Sequence, residues 1–354
     1  MASSISNQTL AISNSLRWGI LGTGGIARKF AAALKDSRTG RLVAVGSRAE
    51  DTLRAFLADF PARGYANYDA VLADPEVEAV YISPPHPFHA EWAIRAARAG
   101  KHILCEKPLT MNAAEAAAVI DAARSAGVFL MEAFMYRCHP QTARLVELVR
   151  EGRIGPVRLI HANFSFRCEW NPRSRLLARE LGGGGILDVG CYCASMARLI
   201  AGAAQGALFA DPIELKAVGN IGETGVDEFS VAVLKFPAGI QAQIACGVRV
   251  ALENTVRIYG DNGRIDVPSP YGINGGKTGS SSIFVTLGNQ PPEEVKIHAD
   301  RTLFAIEADT VAEYISARES PAMSWADSLG NMRTLDRWRA EIGLAYDADS
   351  APGA

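Results

Sequence analysis

Two short segments carry an ammonium, a carboxylate and a phenol that together suit acid/base work on a hydroxyl group. One is Cys105-Glu106-Lys107-Pro108-Leu109-Thr110; the other runs Leu181-Gly182-Gly183-Gly184-Gly185-Ile186-Leu187-Asp188-Val189-Gly190-Cys191-Tyr192. On a helix, Asp188 and Tyr192 are four residues apart and share a face, and the glycine run before them admits a ligand or a second backbone at close range. A phenol with an ordinary pKa of about 10 is a poor base near neutrality, but a nearby ammonium such as Lys107 favours the phenolate.

A second kind of chemistry is written near the start of the chain. Trp18-Gly19-Ile20-Leu21 leads into Gly22-Thr23-Gly24-Gly25-Ile26-Ala27, a G-x-G-x-x-A pattern between a strand and a helix. Gly22 permits the tight turn, Gly24 lets a pyrophosphate approach the backbone, the small Ala27 lets helix pack on strand, and Gly25 and Ile26 open a helix whose N-terminus attracts the anion. At the end of the second strand, where an acid usually holds the ribose of NAD, the sequence reads Val45-Gly46-Ser47-Arg48. A hydroxyl and a guanidinium suit a 2′-phosphate, so NADP is expected over NAD; the alternative is that Glu50 or Asp51 reaches the ribose. Ser83-Pro84-Pro85-His86-Pro87-Phe88-His89 ends a further strand, with prolines stiffening the loop and His89 near the cofactor. Ser83, Pro84, His89, Glu106 and Lys107 complete the expected cofactor contacts. No metal is expected: His86 and His89 lack a third ligand, and Cys191-x-Cys193 lacks a partner pair at zinc spacing.

These groups need elements to position them. From residue 17 to about 131, strand candidates Arg17–Leu21, Leu42–Gly46, Val77–Ile82, His102–Cys105 and Val128–Leu130 alternate with helix candidates Ile26–Lys35, Ala49–Asp59, Phe88–Ala99 and Ala113–Ala126. That alternation predicts an α/β Rossmann unit, a doubly wound parallel sheet. After His139-Pro140 the rhythm changes to one helix, Gln141–Glu151, and a series of strands with few helices between them, which predicts an α+β domain with an open-faced, mainly antiparallel sheet. A helix-like Ile186–Ala201, a Gly/Ser-rich loop over 269–282, and closing helices Leu303–Ala317 and Trp325–Ile342 complete the pattern. The expected division is a flexible tail at 1–16, a dinucleotide-binding domain at 17–136 and a substrate-binding and oligomerisation domain at 137–354.

The length of 354 residues agrees with two domains at about 150 residues each. Thirty-six Lys and Arg against 38 Asp and Glu leave a net charge of −2, with no basic stripe, which argues against a nucleic-acid partner. Charge-free apolar stretches, such as the one between Arg198 and Asp211, fall short of the roughly 20 residues needed to cross a bilayer, so no membrane partner is expected. The N-terminal segment lacks the basic and apolar regions of a signal peptide, and six cysteines fit a reducing cytoplasm.

Taken together, the fingerprint, the Ser-Pro-Pro-x-x-x-His segment, Cys-Glu-Lys-Pro-Leu-Thr, Gly-Gly-Gly-x-Leu-Asp-Val-Gly-x-Tyr and the closing Leu335-Asp336-x-Trp338-Arg339 resemble the Gfo/Idh/MocA oxidoreductase family from about Arg17 to Tyr346. Tyr192, where many members have His, resembles the branch of sugar and dihydrodiol dehydrogenases. Ser83-Pro84-Pro85 departs from the more usual Thr-Pro-Asn, which leaves an asparagine contact without a counterpart.

The resemblance implies NADP-dependent hydride transfer to or from a sugar or polyol, in a homo-oligomer formed through the second sheet. It also implies Tyr192 as general acid/base, Lys107 as its electrostatic partner and Asp188 as the orienting group, with the proton assigned either to Tyr192 or to Lys107. Arg137, Trp170, Arg175 and Tyr271 are the substrate candidates. Alternatives of the same family type are aldose–aldose or glucose–fructose exchange on a tightly held NADP, dihydrodiol oxidation, and non-catalytic sugar sensing.

Overall fold

Residues 15–350 are described in the structure, a computed structural model; the expected tail over 1–16 falls almost wholly outside them. The first half alternates β1 (Leu16–Leu21), α1 (Gly25–Ala33), β2 (Gly40–Gly46), α2 (Glu50–Asp59), β3 (Arg63–Tyr65), α3 (Tyr68–Ala73), β4 (Ala79–Ile82), α4 (His89–Arg98), β5 (His102–Glu106), α5 (Ala113–Ala126) and β6 (Leu130–Ala133). Every neighbouring pair is parallel, in the order β3-β2-β1-β4-β5-β6. Helices cover both faces, so the central strands are apolar without alternation, as in the fully buried Ala79-Val80-Tyr81-Ile82. The strand order reverses between β1 and β4, which opens a crevice beyond their carboxyl ends. Local signals agree with the chain's course: Asn112 caps α5 by accepting from the Glu115 N–H, and Gly127 ends it in the left-handed conformation at φ +68°.

The second half consists of α6 (Pro140–Arg150), β7 (Val157–Ser165), α7 (Cys191–Ala203), β8 (Glu214–Ile221), β9 (Asp227–Lys235), β10 (Gln241–Gly247), β11 (Val256–Gly260), β12 (Gly263–Val267), β13 (Gly279–Leu287), β14 (Glu293–Ala299), α8 (Leu303–Tyr314) and α9 (Trp325–Glu341). The strands form one sheet, β14-β13-β12-β11-β7-β10-β9-β8, antiparallel except for the parallel pair β7/β10. Helices α6, α7 and α9 pack on this sheet, while Val218, Phe229, Val231 and Val233 of β8 and β9 remain exposed. Helix α8 returns to pack on α1, and α9 touches both α5 and α7, so the C-terminal helices bind the two sheets together.

Several elements differ from expectation for identifiable reasons. Strand β3 is only three residues long and contains Gly64, and α3 has only six, so neither leaves a periodic signal. Strand β12 follows β11 after a two-residue turn, Asp261-Asn262, and the pair together resembles one longer run. The loop expected over 269–282 contains a tight turn at Ile273–Gly276 and the first residues of β13. The expected helix at 186–201 begins with a π turn, Ile186–Gly190, in which the Cys191 N–H reaches the Ile186 carbonyl, before regular α7 starts.

One segment, Arg179–Ala203, is long and apolar enough in composition to span a bilayer, although the chain leaves the helical conformation at Gly182–Gly184, where Gly182 and Gly184 take φ +67° and +110°. Its most apolar window is wholly buried, because this helix is the core against which β7, β10 and α9 pack.

Candidate active site

At the crevice, Gly22 takes φ +110°, and a Cβ there would lie 2.7 Å from Ser83 Oγ, so the turn has room only for glycine. At Gly24 and Gly25 a Cβ would meet nothing within 4 Å, and Gly24 offers the start of α1 no side-chain cap. The open space and unclaimed helix N-terminus fit a pyrophosphate.

At the end of β2, the hydroxyls of Thr23, Ser47 and Thr52 hydrogen-bond one another at 3.0–3.2 Å. Arg48 lies with its guanidinium 5.2 Å from the Phe88 ring centroid and forms no ion pair among the described residues. Glu50 and Asp51 instead pair with Arg54 at 2.9 and 3.6 Å and point to solvent. The corner is therefore a hydroxyl cluster with one cation that is free of any ion pair among the described residues and no free carboxylate, which fits a 2′-phosphate and disfavours the Glu50/Asp51 alternative.

The crevice continues as a cleft of about 660 Å³ lined by Gly22, Gly24, Gly25, Ile26, Ser83, Pro84, His86, His89, Glu106, Lys107, Arg175, Asp188 and Tyr192, with Met135, Phe164, Phe166 and Phe304 as apolar wall. His89 ties two of its loops together, its Nδ1 lying 2.9 Å from the Pro108 carbonyl and its Nε2 2.8 Å from that of Pro84. Glu106 accepts from the Tyr81 hydroxyl and, at 3.2 Å, from the Lys107 N–H.

Lys107 Nζ donates to the Asp188 backbone carbonyl at 2.7 Å and lies 3.5 Å from Asp188 Oδ1, which also accepts from Arg175 Nη1 at 2.8 Å. Burial acts to raise the Asp188 carboxyl, but the charges of Lys107 and Arg175 override it and hold the pKa well below the usual range. Burial likewise opposes the Lys107 ammonium and is the largest single influence, but the surrounding negative charges, Asp188 first and Glu106 with it, together outweigh it, so the pKa is raised.

The Tyr192 ring is packed edge-on by Phe134 and Phe164, and Lys107 Nζ lies 5.1 Å from its centroid. The ammonium thus faces the ring, while the hydroxyl points to Met135 Sδ at 3.5 Å. Burial and the negative charge of Glu106 push the phenol well above its ordinary value. The expectation that Lys107 favours a phenolate is not met in this arrangement: Lys107 is an ammonium and Tyr192 a neutral phenol.

Three expected substrate residues lie off the cleft. Arg137 is buried and holds Asp327 at 2.7 Å and Ser195 Oγ at 3.0 Å, an ion pair that stitches the chain before α6 to α9. Tyr271 is buried behind Tyr192, stacked on Phe164 with its hydroxyl towards Cys193. Trp170 is exposed with Arg249 over its face. Only Arg175 of the four reaches the cleft. Ser47 and Arg48 lie at the hydroxyl corner rather than in the lining. His86, Phe164, Phe166, Met135 and Phe304 were not expected there; only His86 had a local signal, its place in the Pro-rich loop. Burial pulls His86 down to about 3, leaving a neutral imidazole whose Nδ1 lies 3.1 Å from the Gly182 carbonyl. Among the described residues, no three His, Cys, Asp or Glu side chains converge as ligands for an ion.

Known proteins resemble this chain along nearly its whole length. Residues 16–134 match a family described as an oxidoreductase family with an NAD-binding Rossmann fold, and residues 142–266 match its C-terminal domain. The chain is 33% identical over 337 residues to D-xylose 1-dehydrogenase (NADP(+)) 2 of Haloferax volcanii, covering 94% of this chain and 100% of that one. It is 33% identical over 346 residues to trans-1,2-dihydrobenzene-1,2-diol dehydrogenase of Mus musculus, covering 94% and 99%. Among solved structures it superposes, with a TM-score of 0.84 and 30% identity, on a tyrosine-to-phenylalanine mutant of a 3-ketoreductase from Actinomadura kijaniata in complex with TDP-benzene and NADP, covering 93% of this chain and 98% of that one.

Proposed function

The chain belongs to the Gfo/Idh/MocA oxidoreductase family, and from that membership we propose that it is an NADP(H)-dependent oxidoreductase acting on a CH–OH group of a sugar or polyol, with Tyr192 moving the proton. The observation that carries the reading is the Lys107–Asp188 contact beside the Tyr192 ring, in the same cleft as the Gly22–Ile26 turn.

The turn and the start of α1 hold the pyrophosphate, Ser47 and Arg48 the 2′-phosphate with Thr23 and Thr52 beside them, and Ser83, Pro84, His89, Glu106 and Lys107 the nicotinamide half. When bound, the nicotinamide supplies or accepts the hydride. Lys107 polarises the substrate oxygen; Asp188 keeps that lysine charged and aimed, and is itself fixed by Arg175. Tyr192, neutral at rest, gives its proton to a carbonyl being reduced; in the oxidation direction it first loses that proton to solvent, and the phenolate then takes the proton of the alcohol. The aromatic wall of Phe164, Phe166 and Phe304 suits the C–H face of a sugar ring; it suits a cyclic diol equally, which keeps dihydrodiol oxidation as the second reading.

The test is nicotinamide absorbance against aldoses, polyols and a dihydrodiol, together with dissociation constants for NADP and NAD. Net NADP reduction and tighter NADP binding are expected. Binding without chemistry across the panel would instead support a sensor, product without net absorbance change would support internal exchange, and equal or tighter NAD binding would refute the role of Arg48.

The exposed stripe of Val218, Phe229, Val231 and Val233 supports a homo-oligomer formed sheet to sheet, since Val218 and Val231 are direct cross-strand neighbours. Val231→Asp is expected to lower the molar mass in light scattering to that of a monomer; an unchanged mass rules out this face. Six unpaired cysteines support a reducing cytoplasmic location, which cell fractionation would check.

A further inference from the structure

Asp227, at the start of β9, is fully buried and takes part in none of the chemistry described above. Its Oδ2 accepts the Ile186 N–H at 2.7 Å, and the Gly185 N–H lies beside it. These are donors of the first turn of the helical segment that carries Asp188 and Tyr192, groups that the helix itself leaves unpaired. Oδ1 has no hydrogen-bond partner, and no cation pairs with the carboxylate among the described residues.

The glycine run is shaped around this side chain. A Cβ at Gly184, which takes φ +110°, would lie 2.2 Å from Asp227 Oδ1, and a Cβ at Gly185 would lie 2.9 Å from Gly247 Cα and 3.2 Å from Asp227 Oδ2.

That first turn is a π turn, so the helix contains an irregularity whose register local sequence does not set. The register matters because Lys107 Nζ is held by the Asp188 backbone carbonyl at 2.7 Å, two residues beyond the N–H that Asp227 grips. A slip of the turn withdraws that carbonyl from the lysine. We infer that Asp227 is a positioning residue for the reaction: its carboxylate anchors the π turn and so fixes Asp188 and Tyr192 against Lys107. The inference rests on the roles proposed above for those three residues.

The anchor acts as a carboxylate. Burial raises Asp227 to about 7, against the stabilising N–H bonds. The titratable groups facing it are Arg339 of α9, Cys246 of β10 and Tyr346 of the C-terminal segment. Burial pushes Cys246 and Tyr346 up, so both stay neutral around pH 7, and Arg339 stays cationic between Asp336 and Asp349. A carboxyl whose pKa is raised on folding favours the folded state below its unfolded value, and that contribution is lost as pH rises through about 7. The ionised anchor is thus held at a cost in stability.

Asp227→Asn keeps the shape and one acceptor but removes the charge. Its kcat is expected to fall by at least about tenfold with the KM for NADP within about twofold, because a misplacement near 1 Å costs rate rather than cofactor binding. At pH 8 its Tm is expected to equal or exceed that of the native protein, since a neutral amide replaces a buried anion. The native kcat should rise with pH through an inflection near neutrality that the variant lacks. Native-like kcat with the inflection retained overturns the inference, as does a fall in Tm at pH 8 that parallels the fall in kcat. Should the variant not fold, the native profile decides alone: no inflection between pH 6 and 8 overturns it. If Tyr192→Phe remains active, the proposed roles themselves fall; if that variant is dead and Asp227→Asn is native-like, only the positioning role falls.

Discussion

Lys107→Met is expected to lower kcat/KM by roughly a thousandfold while leaving a folded protein that still binds NADP. The rate loss follows from removing a buried, preorganised positive group from the oxygen where charge develops, an effect of about 10²–10³ per donor in comparable sites. The fold survives because Asp188 is not orphaned: Arg175 stays 2.8 Å from its Oδ1, so the carboxylate keeps one cation and the penalty is less than that of breaking an isolated buried pair. Arg175 is half-exposed, so it cannot replace the lysine inside the cleft. Lys107→Arg should recover little of the rate, since a planar fork cannot occupy the place of a single Nζ held 2.7 Å from one carbonyl. Steady-state kinetics with cofactor titration check the result, and a kcat/KM within about tenfold of native would remove Lys107 from the proposed chemistry.

How far the site could be read from sequence depended on whether its parts were local. The turn at Gly22–Ile26, Lys107 at the end of β5 and the Asp188/Tyr192 pair lie in short contiguous motifs, and all reach one cleft. Arg137 and Tyr271 have the composition of sugar-binding residues, but their fate is set by partners far along the chain. Asp327, 190 residues away, takes the guanidinium, and Phe164 takes the ring. The aromatic wall was illegible for the same reason: Phe304 enters from α8, which folds back onto α1 only in the tertiary structure. The π turn was hidden because Ile186–Ala201 reads as regular helix, and its anchor, Asp227, lies 41 residues away on another strand. The parallel sheet, by contrast, was visible because alternating apolar runs and alanine-rich helical stretches each carry their own period.

The charge state of Tyr192 leads to the other large effect. Tyr192→Phe is expected to cut kcat by at least about a hundredfold in both directions, because the proton-transfer group is lost while the ring, and with it the packing against Phe134 and Phe164, is kept. In the native enzyme the two directions should differ in their alkaline dependence. The phenol is pushed well above 10 by burial and by Glu106, Lys107 is raised, and Asp188 is held well below the carboxylate range, so none of the three changes charge between about pH 5 and 9. Ketone reduction needs the protonated phenol, which is present throughout that window, and should show only the neutral inflection assigned to Asp227. Alcohol oxidation needs the phenol to lose its proton and should continue to accelerate above pH 8. Initial rates in both directions across pH 6–10 test this. An oxidation rate that levels off near neutrality means that a base other than Tyr192 takes the proton, and a Tyr192→Phe variant with near-native turnover means the same.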